Sequence, residues 1–442
     1  MAVYSDREAF IPYRRGDLIS LCLEDGELKS TDVPSFRHFC ELVSAYYHFQ
    51  FHSDLEKLKD NYAPFNPDAD TKFISYPEPH QQAEMAHQLV TDFKTLLERA
   101  NYVTLSPASL QRAFKEKSLL ELNTQVDFND FDSMVCYCRG DTYKVTEVKK
   151  FFRKSQQKVD VFERVVLLLS FKDSANFISK KAKQDSLGFK PGKIYVYLYK
   201  NIPKFDIEFI FPNVKISMTW KDRLLLGIPA IGAAIPLGLK ILPQLLLIIG
   251  VILFVTFGSL NIEQLKVSEE QVRNVMPVLV TMLSLVVTLG GFAFKQYTSY
   301  KNKKIQYQKN VTETLFFKNL ASNTGAFHSL IDAAEEEECK EIILVYYHLL
   351  TSKTPLNLEQ LDNRIEAWML EKFGTKIDFD INGPLRNLEA IRGKINSRGS
   401  GSVSNSDLSL LRVDSQGNCH VLSLDEALKV MDYVWDNAFL YA

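Results

Sequence analysis

Few stretches of this chain carry residue types at the spacings that chemistry requires. "GFKPGKI" (Gly188–Ile194) resembles a phosphate loop, but its glycine spacing is wrong and Ile194 stands where Ser or Thr must hold magnesium. It reads as a turn into a strand. His48 and His52 are four apart on an expected helix, which puts both on one face, as a metal pair needs. No second histidine pair or C-x-x-C accompanies them, so a core or surface role is expected. Asp206 and Glu208 would share one face of a strand. Such a pair could do acid–base work, yet Lys204 and Lys215 are close enough for plain cross-strand pairing. The four glutamates Glu335–Glu338 are expected at the front of a helix, where they suit its positive dipole end; a metal site is the second reading. Cys136 and Cys138 are spaced C-x-C. With Cys22, Cys40, Cys339 and Cys419 they read as free thiols in a reducing compartment. There is no G-x-S-x-G, no H-E-x-x-H and no dinucleotide fingerprint. No catalytic, cofactor-binding or metal-binding residue is assigned, and no cofactor is expected.

The elements that would hold such residues are of two textures. At 442 residues the chain suffices for two or three domains, and 24% charged residues suit a globular protein. The net charge of −2 gives no overall field for nucleic acid, but it is unevenly spread: +1 over residues 1–223, +5 over 224–324 and −8 over 325–442. Residues 1–133 read as a helical region. Residues 134–223 read as β-rich: a hairpin turning at Gly140 in "MVCYCRGDTYKVTEV", strands "RVVLLLSF" and "KIYVYLYK", and a hairpin "FDIEFIFPNVKISM" turning at Pro212-Asn213. Tyr195, Tyr197 and Tyr199 alternate with Ile194, Val196 and Leu198, the pattern of a core strand with two buried faces.

From Leu224 to Leu260 the chain is uncharged except for Lys240, and Val275–Phe294 is a second uncharged run. These lengths predict two membrane crossings, 241–260 and 275–294. Residues 224–240, with Pro229, Pro236 and Pro243 nearby, would form a kinked lead-in, and 261–274 a short external loop. Trp220, Lys221, Arg223 and Lys240 on one side, and Lys295, Tyr297, Tyr300, Lys301, Lys303 and Lys304 on the other, are the expected interface residues. The basic bias puts both termini in the cytoplasm. Thr281, Ser284, Thr288 and Gly291 form a stripe of small residues suited to helix packing or to a homo-oligomer. Residues 295–324 are expected as a basic juxtamembrane helix that could touch anionic lipid.

Residues 325–442 are expected as an acidic, winged-helix-like interaction module. Three helices end at His348, span Leu358–Phe373 and span Ile381–Ile391. A hairpin turns at Gln416-Gly417, and a last helix is capped by Ser423. Ser397–Asp407 reads as a flexible loop. The acidic balance argues against nucleic acid. The predicted fold class is thus an α+β integral membrane protein.

The blocks "DREAFIPYRRGDLI", "YKNIPKFDIEFIFP", "YQKNVTETLFFKNLASNTGAFHSLIDAAEEEECKE" and "VDSQGNCHVLSLDEALKVMDYVWD" resemble a domain-of-unknown-function family of two-span membrane proteins. It occurs in cyanobacteria and plastids and is similar to transmembrane protein 143 of animal mitochondria. The resemblance implies an integral membrane location, in a bacterial plasma or thylakoid membrane, and carries over no catalytic residue. The expected function is a non-enzymatic scaffold or adaptor presenting two cytoplasmic modules. An oligomeric transport or channel component is the alternative, and a lipid-acting enzyme a third choice.

Overall fold

The computed structural model describes residues 8–105, 123–150, 153–179, 188–217, 315–397 and 404–438, together with separate positions between 280 and 312. The fold is α+β. Three helices open it: α1 (Arg15–Glu24), α2 (Val33–Tyr62) and α3 (Pro79–Arg99). In α2 the buried residues Phe36, Phe39, Cys40, Val43, Tyr47, Phe51, Leu55, Leu58 and Tyr62 recur at steps of three and four, one continuous face of a helix.

Five strands follow as an antiparallel sheet: β1 (Val103–Thr104), β3 (Phe131–Lys150), β4 (Arg153–Phe171), β5 (Ile194–Pro203) and β7 (Asn319–Ser322), in the order β1-β3-β4-β5-β7. Val135, Tyr137, Val166, Leu168, Ile194, Val196 and Leu198 alternate onto the face that joins the helical core. Tyr195, Tyr197 and Tyr199 stack along the opposite face. A short pair, β2 (Asn123–Gln125) with β6 (Lys215–Ser217), forms a separate two-stranded sheet, and a small helix, α4 (Ser174–Ser179), lies between β4 and β5 in the chain.

The remaining helices are α5 (Thr324–Leu350), α6 (Leu358–Phe373), α7 (Asn382–Ala390) and α8 (Leu424–Asp436). Strands β11 (Leu411–Val413), β12 (Asn418–Val421) and β8 (Leu356–Asn357) make a three-stranded sheet. Strands β9 (Arg392–Ser397) and β10 (Ser404–Ser409) form a further hairpin inside what reads from sequence as a loop. α8 closes on β9 at Gly393, where an added Cβ would lie 3.1 Å from the Val430 carbonyl oxygen. α5 is the spine: from Glu337 to Leu349 every residue is buried. Phe39 of α2 stacks on its Tyr346 at 4.1 Å between ring centres.

The chain divides into two compact units. One comprises Met1–Lys115, Phe128–Ile207 and Lys318–Ala442, and so joins the amino-terminal helices, the large sheet and the carboxy-terminal helices. The other comprises Glu116–Asp127 and Glu208–Phe317.

Several expectations are corrected. Among the described residues no helix is long and apolar enough to cross a membrane, which overturns the integral-membrane architecture and the plasma or thylakoid location with cytoplasmic termini. The long helices have the length but not the apolarity: α2 and α3 carry charges along their outer faces, and α5 carries Glu335–Glu338, Lys340 and Glu341 at its middle. The expected lead-in 224–240, crossing 241–260 and loop 261–274 lie outside the described residues, and 275–294 is described only at separate helical positions. The juxtamembrane helix does not reach residue 324, because Asn319–Ser322 is strand β7. Gly140 makes no hairpin turn. Strand β3 runs straight through it, with φ +76° and its Cβ position 2.6 Å from the Glu163 side chain, so only glycine fits. "FDIEFI" is no strand either. Lys204–Ile210 is a 3-10 helix, and the consecutive burial of Phe209, Ile210 and Phe211 is incompatible with two-fold alternation.

Candidate functional site

α5 begins directly after β7, and the junction is built on one strained residue. Asn323 has φ 52° and ψ −127°, a positive-φ conformation outside the left-handed helical well, which glycine adopts far more readily than any other residue. Its backbone N–H donates to the Val196 carbonyl (2.7 Å), and its side-chain oxygen accepts from the Val196 N–H (3.1 Å). Its Nδ2 donates to Asp68 Oδ2 (2.6 Å). One residue thus ties β5, the segment after α2 and the start of α5. Beside it opens a cleft of about 540 Å³, with Lys59, Asp68, Asp70, Lys72, Ser322 and Thr324 among its walls. Tyr62, also in the wall, donates to the Ile194 carbonyl (2.9 Å), which fixes the end of α2 against the sheet. From Phe73 in the cleft's wall the chain runs into an exposed apolar rim with Ile74 and Tyr76, in which the Phe73 and Tyr76 rings meet edge-on at 5.1 Å.

Three to five turns further along, α5 carries a second feature. The glutamate run lies in the middle of the helix, because the helix starts at Thr324; the expected dipole role is therefore not the one observed. Each glutamate takes its own partner. Glu335 meets His48 Nδ1 at 2.9 Å, and Glu336 accepts the Arg15 backbone N–H at 2.7 Å. Glu337 accepts from the Ile11 N–H (3.1 Å) and from Lys340 Nζ. Glu338 takes both Arg99 Nε and Nη2, while Arg99 Nη1 reaches Asp54 at 2.8 Å and its guanidinium lies 3.9 Å from the Phe51 ring centre. Lys340 Nζ also donates to the Ile11 and Tyr13 carbonyls (2.6 and 3.2 Å). Glu341, buried beside them, accepts from Asn101 Nδ2 at 2.8 Å, and burial raises its carboxyl well above the ordinary range. Burial likewise raises Glu337, against the pull of Lys340. Chemically this is a frame: a buried charge is kept where its partners are complete. It fastens residues 8–15, α2 and α3 to one helix.

The residues singled out from sequence are not brought together. His48 is exposed and paired with Glu335, and His52 is exposed on the next turn. Glu208 is buried on the 3-10 helix, so no strand face pairs it with Asp206, and Lys204 is bound to Asp141 at 2.7 Å. The "GFKPGKI" turn leads into β5, and its Lys190 and Lys193 donate to the Pro67 and Pro64 carbonyls. All six cysteines are free and buried. Among the described residues no group of three or more His, Cys, Asp or Glu could hold a metal ion. Of the expected interface residues, Lys295, Tyr297 and Lys301 are exposed on helix; Trp220, Lys221, Arg223, Lys240, Tyr300, Lys303 and Lys304 lie outside the described residues. Of the packing stripe, Ser284 and Gly291 are exposed, and Thr281 and Thr288 are not described. The cleft went unread in the sequence. Its one local signal is "SNTG" after a strand-length run, where Asn followed by a helix pattern allows a positive-φ entry.

A family model described as "Protein of unknown function (DUF3754)" matches residues 162–325. The match runs from β4 to Gly325 at the lip of the cleft and supports a domain of unknown function. No solved structure matches the chain.

Proposed function

We propose that the protein is a non-enzymatic scaffold or adaptor, with the cleft at the start of α5 and its apolar rim as the surface that meets a protein partner. The observation that carries this reading is the rim: Ile74 stands fully exposed between the half-exposed rings of Phe73 and Tyr76, on a loop anchored by Tyr76 Oη to the Pro64 carbonyl (3.0 Å). Rigidly held aromatic groups on a loop are the usual anchors of protein recognition. The buried charges of α5 support the same reading, since they are spent on fixing the frame. The resemblance of four sequence blocks to the domain-of-unknown-function family is consistent with it, in that it brings no catalytic residue.

The test is mild purification of the tagged full chain from its native host, with quantification of co-purifying proteins for the native chain and for Ile74→Asp and Tyr76→Ala. A partner that is lost with both substitutions and kept with Lys353→Ala, at an exposed site elsewhere, supports the reading. An unchanged partner set, together with a turnover activity of the purified chain, rejects it.

A further inference from the structure

The seam beneath α6 gathers carboxylates. Asp362 and Glu366 are one turn apart on this helix, and the loop that follows it, residues 374–381, folds back so that the Phe379 N–H donates to Glu366 Oε1 at 3.1 Å. That bond lays the backbone between Asp378 and Asp380 against α6; the Asp380 side chain itself is exposed and accepts from the Asn382 N–H (3.2 Å). Asp362 is 7% exposed, and its Oδ1 has no hydrogen-bond partner. The loop is also fastened to the amino-terminal segment, because the Asp378 N–H donates to the Glu8 carbonyl (3.1 Å).

We infer that Asp362 is a proton switch: protonated, it lets the loop 374–381 lie against α6; ionised, it repels Glu366, Asp378 and Asp380 and loosens both the loop and the amino-terminal segment held by it. The charges around the seam fit this role. The carboxylates that act on Asp362 are Glu366 from its own helix and Asp378 from the loop, with the exposed Asp380 after them. From α5, Glu341 faces Asp380, while Glu337 is occupied by Lys340. The nearest cations of α6 are turned elsewhere: Arg364 to His348 and Thr351, Lys372 to Asp25. The Glu8 carboxylate accepts from the Gly140 and Asp141 N–H groups. Burial first, and then these carboxylates, hold the Asp362 carboxyl up at about 6 from an ordinary 3.8.

The sign follows. The folded form holds this proton more tightly than the unfolded chain, so its stability is complete below about pH 4 and is lost as the pH rises through about 6. The experiment uses the full chain, native and Asp362→Asn, melted between about pH 3.5 and 8, with hydrogen exchange read over residues 375–381. The expected result is coincidence below about pH 4, a gap that opens between about pH 4 and 6, and a constant gap above that. There the native chain melts lower, and its loop exchanges on the order of tenfold faster than in Asp362→Asn. Glu366→Gln, which keeps an acceptor for Phe379, should move the native transition to lower pH. Parallel curves at every pH, or a transition that Glu366→Gln leaves in place, would overturn the assignment.

Discussion

Lys340 and Glu341 are neighbours in the chain and opposites in what they tolerate. Lys340→Met strips the partner from the buried Glu337 carboxylate and leaves the Ile11 and Tyr13 carbonyls without their donor. The expected loss is about 3–5 kcal/mol, read from urea unfolding. Glu341→Gln replaces a carboxyl whose ionised form burial disfavours, and the amide oxygen can still accept from Asn101. Its raised folded value means that native stability falls as the pH climbs above the unfolded value of about 4.3. The glutamine variant should therefore match the native chain in acid and equal or exceed it at neutral pH. His348 works in the other direction. Burial, helped by Arg364, lowers it from 6.5 to about 3, so the fold keeps the neutral ring. The stability this contributes is complete above about pH 6.5 and drains as the pH falls toward 3. His348→Gln should flatten that acid limb in a pH series of melts; an unchanged limb would point to other groups.

At the scale of elements, Asn323 is the joint to test. Asn323→Ala loses the side-chain bonds to Val196 and Asp68 and puts an alanine at φ 52°, an expected loss of about 2–3 kcal/mol. Asn323→Gly relieves the backbone but not the lost bonds, and should recover part of that loss. Intermediate stability of the glycine variant is the check. Joints of this kind are poorly legible in a sequence, whereas capped helices are well legible. Leu358–Phe373 and the start of the last helix could be read to the residue because Asn357 with Gln360 and Ser423 with Glu426 form capping boxes, a signal that sits within four residues. "KIYVYLYK" could be read because its alternation is complete. Gly140 misled because a glycine in an alternating run looks the same in a turn and in a strand that crosses another side chain closely. "FDIEFIF" misled because apolar content without clean alternation fits a tight helix as well as a strand. The glutamate run misled because helix periodicity upstream of it is weak, and its role depends on Arg99, Arg15 and His48, which lie more than two hundred residues away in the chain. The cleft shares that difficulty, since its walls come from residues 59–73 and 322–325.

For the whole molecule, charge makes a simple forecast. Residues 325–442 carry a net −8, and the chain as a whole −2. Phosphate contacts supply most non-specific affinity for DNA, so the full chain should pass a duplex-DNA column at about 0.15 M salt without retention. Salt-sensitive retention would contradict this and would direct attention to the basic segment between residues 295 and 318.

The grip of α5 on the amino-terminal segment also has a consequence for how the chain is made. Ile11 and Lys340 are 329 residues apart. A ribosome delivering about 5–20 residues per second leaves the first segment waiting on the order of 20–60 s for the helix that receives it. During that interval the part of the apolar face of α2 that packs on α5, Phe39 against Tyr346 among it, is uncovered. The first hundred residues therefore wait with an exposed apolar surface that suits chaperones. Nascent chains arrested before Thr324 should be cut freely by protease and recovered with holdases, and protection should appear in one step once α5 has cleared the exit tunnel.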